Sequence, residues 1–342
     1  MDSLSQILLG AWVAELLAGK QYWNKALIAG ALLGTLLDLD VFLWPLLFTD
    51  TLHQEFFHRT ITHSLLFGVG AAPFFGRLLS RISKNAGTFR LRTRIAFWCF
   101  RTHALLDRCT GYWTQLLRPF SQTYFAIDSV FIIDPLYTVP LLLCLVITAR
   151  YRRTNTHRKR YALIGLIVST TYLLRGVVAQ QIATTTAAWQ VPTTVTEPSP
   201  LHASPELFTT FLRRVLAEDD QHRYITRRSL FDHTDTLQRK KIPKQHGLLE
   251  PYMHDTATQR LKQRRPLYRV ASTNDTSTVL FIPMSFGDII GRTTQTHTYL
   301  MAYTLTIDTT GAITVTMPDT PSFQQPVSVI LEERWKRVQW NT

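Results

Sequence analysis

Two apolar runs joined by a block of positive charge set the first limit on this chain. Pro135–Ala149 and Tyr161–Val178 carry a single charge between them, Arg175, and the segment that links them reads RYRRTNTHRKR. A helix crossing a bilayer core of about 30 Å needs about 20 mostly apolar residues, so both runs are candidate spans. Basic loops stay on the cytoplasmic side of membrane helices, which makes this turn the inside reference. Alternation then assigns the other apolar runs: Leu4–Ala18, Ala26–Phe48 with an expected break near Asp38, Ile61–Leu79 and Ile95–Leu106.

The charge distribution agrees with that topology. Residues 1–190 hold 19 of the 37 basic and 9 of the 24 acidic residues, and 191–342 hold the other 18 and 15. A basic excess is often the footprint of a nucleic-acid binder. Here it falls in short clusters between apolar runs, so topology explains it and no nucleic-acid partner is expected. Fourteen of those 19 basic residues fall on the inside. Asp38, Asp40, Asp50, Glu55, Asp107, Asp128 and Asp134 fall at the opposite ends, with His53, His58, His63 and His103. Ionisable groups at membrane depth are costly and carry a functional expectation, with one another as partners. Cys99, Cys109 and Cys144 lack CxxC spacing and read as buried thiols. The opening MDSLSQ lacks the basic n-region of a cleavable signal.

The second half of the chain is polar and globular in pattern. The expected division is a helical membrane domain over 1–180, a Thr- and Pro-rich linker over 181–204, and a soluble α+β domain over 205–342. Apolar spacing over Pro205–Glu218 predicts an amphipathic helix, and 251–265 a weaker, basic one. Strands are expected at Thr278–Pro283, Thr298–Ile307 and Ala312–Met317, the last two joined by the turn DTTG. By alternation this domain lies outside the cytoplasm.

Three clusters carry chemistry. LLDLD at 36–40 places two carboxylates about 200° apart on a helix, so both reach one pocket only where the helix ends. In HRTITHS at 58–64 the histidines are about 140° apart, which puts His58 in the entering loop and His63 in the first turn, with Thr60 or Thr62 as the cap. In HALLD at 103–107, His103 and Asp107 share a helical face at i, i+4. His53 and Glu55 read as loop residues. Further on, Asp134 precedes Pro135 as a helix cap, Asp128 stays open between packing and chemistry, and Arg118 fits a phosphate or an acid. Together, at least two imidazoles and two carboxylates from three helices converge on one membrane face. That combination suits zinc or a two-metal site.

The series LLDLD, HRTITHS, HALLDRCT and LLRP resembles the YdjM-like family of membrane-bound metal-dependent hydrolases. That family shows Pro-Asp-x-Asp-His, His-Arg-Gly-x-Thr-His-Ser, and His-x-x-x-Asp before a Leu-Leu-Trp-Pro-like stretch. Order and spacing match over about residues 30 to 135, and TEPSPLHASPELFTTFLRRVL is similar to the linker of longer members with a C-terminal domain. Leu37, Val41, Thr60 and Arg118 stand where the family has proline, histidine, glycine and tryptophan. The resemblance implies a site of Asp38, Asp40, His58, His63, His103 and Asp107. It also implies a mainly α, polytopic helical bundle, distantly like the zinc phospholipase C fold.

The expectation is a metal-dependent hydrolase of a lipid or lipid-linked phosphoester, embedded in a bacterial-type cell membrane with an extracytoplasmic site. Asp40, His58, His63, His103 and Asp107 are the expected ligands of a divalent metal, zinc by preference. Asp38 or Asp128 is the expected base, and Arg59 or Arg118 the stabiliser of developing negative charge. Two alternatives stay open. One is an adaptor with a structural metal whose C-terminal domain binds a protein partner, and the other is an ion or proton path in a transporter.

Overall fold

The computed structural model describes residues 1–47, 57–82, 88–188, 201–219, 221–232, 239–273, 275–285, 288–289, 298–299 and 301–317, with 332, 335, 336 and 338. The chain forms two compact units, Met1–Val177 and Val178–Thr342. Asp50, His53 and Glu55, expected in the loop before HRTITHS, lie outside the described residues.

The first unit is helical. Its elements are α1 (Ser3–Tyr22), α2 (Asn24–Leu36), a 3-10 turn at Leu37–Leu39, α3 (Asp40–Leu47), α4 (Leu65–Ile82), α5 (Phe89–Arg108), α6 (Pro135–Arg150) and α7 (Thr156–Ala188), the last running into the second unit. The expected break near Asp38 is the 3-10 turn. α7 continues to Ala188, so the segment expected as linker begins as helix. Among the described residues, Asn24–Leu47 and Thr156–Thr186 are long and apolar enough to cross a membrane, and Pro135–Arg150 is a shorter apolar helix.

Side-chain caps explain several helix starts. Asp2 Oδ1 accepts from the Ser5 amide at the head of α1. Asp134 Oδ1 accepts from the Leu136 amide, with Pro135 at the first helical position of α6, as its sequence context suggests. Tyr172 of α7 donates its hydroxyl to both oxygens of the same carboxylate.

α1 is the central helix, buried on most of its circumference. On one side Ala14 and Ala18 join Leu33, Leu37, Ile95, Ala96 and Phe100 in an apolar core. On the other, Leu8 and the fully buried Trp12 pack with Leu106, Tyr137 and Leu141. α1 and α2 touch through glycine. A Cβ built on Gly10 would come within 2.7 Å of Gly34 Cα, and one on Gly34 within 2.5 Å of the Gln6 carbonyl oxygen. Small residues spaced i, i+4, here Gly30 and Gly34, permit such backbone contact between membrane helices.

The far end of this bundle is tied by Arg158 at the head of α7. Its Nε and Nη2 donate to the two oxygens of Glu15, 2.7 and 2.5 Å away. Nη1 donates to Asn24 Oδ1 and to the carbonyls of Thr148 and Tyr151. A fully engaged guanidinium is the condition under which a buried ion pair is tolerated.

The second unit is built mainly of antiparallel sheets. β1 (His202–Glu206), β2 (Thr209–Glu218), β3 (His222–Ser229) and β4 (Arg239–Pro243) form one sheet in that order. After the short helix α8 (Thr256–Arg264) come β5 (Tyr268–Ser272), β6 (Thr278–Pro283), β7 (Asp288–Ile289), β8 (Thr298–Tyr299), β9 (Tyr303–Ile307) and β10 (Ile313–Thr316). A second sheet runs β10-β9-β6-β5, and β7 pairs with β8. Val270, Phe281, Tyr303 and Leu305 are fully buried in the second sheet. The strands expected at Thr278–Pro283 and Ala312–Met317 and the basic helix are present, whereas the strand expected over Thr298–Ile307 is divided between β8, paired with β7, and β9, in the second sheet. The hairpin turn DTTG is closed by Gly311, at φ +84°, whose amide donates to Asp308 O.

The helix expected over Pro205–Glu218 is instead the hairpin β1–β2. Val215 pairs with Ala203 and Thr226, and Leu216 with His202 and Ile225, so β2 is an inner strand. Residues 212–216 are buried on both faces, which erases the alternation that marks a half-buried strand. Pro205 is tolerated because β1 is the edge strand and its register shifts there.

Candidate metal centre

The site forms where the 3-10 turn after α2, the loop before α4 and the last turns of α5 meet. α2 ends at Leu36, and Asp38 lies in the 3-10 turn while Asp40 opens α3. They approach the two nitrogens of one imidazole, Asp38 Oδ1 at 3.3 Å from His63 Nε2 and Asp40 Oδ2 at 3.8 Å from His63 Nδ1. The HRTITHS segment is a run of turns, with Arg59 at φ +60° and Thr60 Oγ1 donating to Phe57 O. Ser64 caps α4 by accepting from the Phe67 amide, so the helix starts later than its sequence suggests and His63 precedes it. His58 lies in the loop, as expected.

Four donor atoms converge. His63 Nε2 is 3.1 Å from His103 Nε2 and 3.2 Å from Asp107 Oδ2. His103 Nε2 is 3.4 Å from Asp38 Oδ1 and 3.5 Å from Asp107 Oδ2. All four atoms lie within 4.8 Å of one another. A tetrahedron with metal–ligand bonds of about 2.0–2.1 Å has edges of about 3.3 Å, so the spacing suits a single divalent ion.

Hydrogen bonds fix which lone pairs face inward. His103 Nδ1 is 2.6 Å from Gly34 O, an acceptor only, so Nδ1 carries the proton and Nε2 is bare in the neutral ring. Thr62 donates to Asp40 Oδ2 at 2.5 Å and can accept from His63 Nδ1 at 3.0 Å, which bares His63 Nε2 as well. Asp107 Oδ1 accepts from Gln6 Nε2 at 2.9 Å and from the Met1 nitrogen. Its Oδ2 takes no hydrogen bond among the described residues. Two bare imidazole nitrogens and two carboxylate oxygens held this close repel one another unless a proton or a metal cation lies between them. The residues could hold a metal ion, and His63, His103 and Asp107 are buried.

The remaining expected residues flank this group. Asp40 accepts from His58 Nδ1 at 2.6 Å, forming a carboxylate–histidine pair beside the cluster. Burial holds the His58 imidazole below its ordinary basicity. Arg59 is buried, its guanidinium 4.3 Å from the Tyr112 ring centre and its Nε 3.4 Å from Asp107 Oδ2. Arg118 donates through Nε to Gln115 Oε1. Asp128 is buried at φ +55° in the loop that hydrogen-bonds the end of α5, outside the four-donor group. Asp38, expected as a base, stands among the donors, whereas Asp40 and His58, expected as ligands, stand next to them. Participants that escaped the sequence reading include the Met1 nitrogen, Tyr112, Gln6, a lone amide in an apolar run, and the Gly34 carbonyl, which a sequence does not advertise.

A family model described as YdjM inner membrane protein matches residues 1–183. No match is found among curated proteins or among solved structures. The matched span holds every residue of the four-donor group and exceeds half of the chain, so this chain belongs to the YdjM inner membrane protein family.

Proposed function

We propose that this protein is a metal-dependent hydrolase of lipid or lipid-linked phosphoesters, with its centre at the extracytoplasmic face of the membrane. The observation that carries this reading is what surrounds the four donors: a second carboxylate–histidine pair and a buried arginine, neither of which a purely structural ion requires. When bound, a divalent ion such as zinc supplies Lewis acidity, acidifying water and polarising a phosphoryl oxygen. Asp38, His63, His103 and Asp107 would hold it, and hydrolysis needs one further position beside them for water. Asp40 orients His58 through Nδ1, and His58 is the base proposed to take a proton from the attacking water. Arg59, beside Asp107, offers its guanidinium to the charge that gathers on the phosphoryl oxygens.

Helix lengths support a site near one membrane boundary. Asp38 lies fourteen residues beyond Asn24, about 21 Å at 1.5 Å per residue. Asn24 belongs to the Glu15–Arg158 tie, around which Lys20, Lys25, Arg150, Arg152, Arg153 and Lys159 cluster in sequence. Positive charge at that end supports a cytoplasmic assignment for it, and with it donors in the outer third of a core of about 30 Å.

A structural ion is the second reading, because four protein donors suffice to close a tetrahedral zinc site. Purified protein, assayed for bound metal and against phospholipid and phosphomonoester panels, separates the two. Stoichiometric metal with turnover that is lost in His58→Ala supports hydrolysis. Stoichiometric metal without turnover on any substrate favours the structural ion, and absence of metal from wild-type protein sinks both.

A further inference from the structure

The chain between α5 and α6 contains a small hairpin that neither the donor group nor the core accounts for. Thr114 and Phe125 exchange backbone hydrogen bonds at 3.0 and 2.9 Å and close its neck. The base is stitched to the metal loop, the Gln115 amide donating to Arg59 O and the Leu65 amide to Leu116 O. Inside the neck, Gln115 Nε2 donates to Gln122 O and Arg118 Nε to Gln115 Oε1. Thr114, Gln115 and Leu116 are buried. The tip is the reverse: Phe120 is 84% exposed and Leu117 45% exposed, with Arg118 between them. The interior of the hairpin is ordered by polar bonds, and Phe125 at its neck is half-buried under the Arg108 guanidinium, while Leu117 and Phe120 at the tip face outward.

We propose that this hairpin is an interfacial anchor. Leu117 and Phe120 enter the boundary between headgroups and acyl chains, and Arg118 meets lipid phosphate there. Three observations favour a lipid surface over a protein partner. The chain belongs to a membrane family. The hairpin is bonded to the loop that carries His63, which the reading above sets toward the outer membrane boundary. Its tip also pairs two apolar side chains with one cation, the composition that suits an anionic headgroup zone. The consequence, which rests on the hydrolase reading above, is that the substrate reaches the donors from the plane of the bilayer and not from bulk water.

Photocrosslinking of the full-length protein tests the anchor without any assay of activity. Phe120 is replaced by p-benzoylphenylalanine, and the protein is irradiated in vesicles of phosphatidylethanolamine and phosphatidylglycerol. Thr310, in the exposed turn of the second sheet unit, receives the same group as a control. Phospholipid adducts in clear excess at position 120 over position 310 are expected. Equal adduct yields at the two positions, or adducts at 120 mainly with protein, overturn the proposal.

A second measurement addresses the substrate route. In Phe120→Asp, cleavage of vesicle-embedded phospholipid falls about 10- to 100-fold, the range that loss of one buried large apolar side chain corresponds to. Cleavage of a water-soluble phosphomonoester stays at the wild-type rate. Equal loss on both substrates overturns the lateral route. A wild-type protein that cleaves neither removes the hydrolase reading, while the adduct pattern still decides the anchor.

Discussion

His103 donates through Nδ1 to the carbonyl oxygen of Gly34, 2.6 Å away, so a backbone atom of α2 decides which nitrogen of an α5 side chain faces the donor group. Helix packing and ligand orientation thus meet at one residue. In Gly34→Ala the new methyl would lie 2.5 Å from Gln6 O, and α1 and α2 must separate. Overpacking of this kind costs about 1–3 kcal/mol. Displacing the Gly34 carbonyl also lowers metal affinity about 10–100-fold, the usual effect of losing a partner that orients a ligand. Thermal unfolding in detergent and competitive metal titration measure the two effects separately.

The four donors and their neighbours differ in what their loss does. Asp38→Ala, His63→Ala, His103→Ala and Asp107→Ala each strip the site of stoichiometric metal. Asp40→Asn and His58→Ala retain the metal and reduce turnover by about 10²–10⁴-fold, the contribution expected of positioned acid–base groups. Elemental analysis of the purified variants, beside phosphoester cleavage rates, checks both halves.

Chelation is expected to loosen the helical unit. An ion that binds only the folded state adds stability in proportion to the logarithm of its free concentration over Kd, about 4 kcal/mol at a thousandfold excess. Removal of metal therefore lowers the melting temperature of wild-type protein, whereas the melting temperature of His103→Ala does not respond. Scanning calorimetry with and without chelator provides the comparison.

At the other end, Arg158 and Glu15 form a two-pronged pair in the interior. Arg158→Met alone leaves the Glu15 carboxylate buried and costs about 3–5 kcal/mol. The double variant Glu15→Gln with Arg158→Met recovers a large part of that loss. A double-mutant cycle by denaturant titration reads the coupling.

The turn between β2 and β3 is acid-sensitive. Asp219 accepts from the amides of Gln221 and His222 and from the Tyr224 hydroxyl, and these bonds pull its carboxyl from 3.8 to about 2. A depressed carboxyl stabilises the folded state above its unfolded value, and the contribution fades as pH falls from about 4 toward about 2. Hydrogen exchange across 219–224 is expected to quicken relative to intrinsic rates over that interval, and Asp219→Ala to show the faster exchange already at neutral pH.

The helices were legible because their apolar runs are long and their caps are explicit, as with Asp134 before Pro135. The donor clusters were legible because His103 and Asp107 keep an i, i+4 spacing and HRTITHS stands out against apolar flanks. What separated ligand from neighbour was not legible. Asp38 and Asp40 stand two residues apart in sequence, and only the folded chain shows that Asp38 joins the four donors while Asp40 pairs with His58. The hairpin β1–β2 was misread because Leu212–Leu216 is buried on both faces, and burial by a second layer hides a strand's period. Gly30 and Gly34 also escaped the sequence reading, since their role lies in what they leave out.

Glycine contact between α1 and α2 also bears on the order of events during synthesis. The two helices adjoin in sequence and can dock as a pair once both have emerged. From then on the Gly34 carbonyl is in place, while His103, 69 residues further on, has yet to be made. At about 5–20 residues per second, that interval is roughly 3–14 s. The acceptor for the imidazole is thus laid down before the imidazole exists, and the centre can be completed only when α5 arrives against a partner already waiting for it.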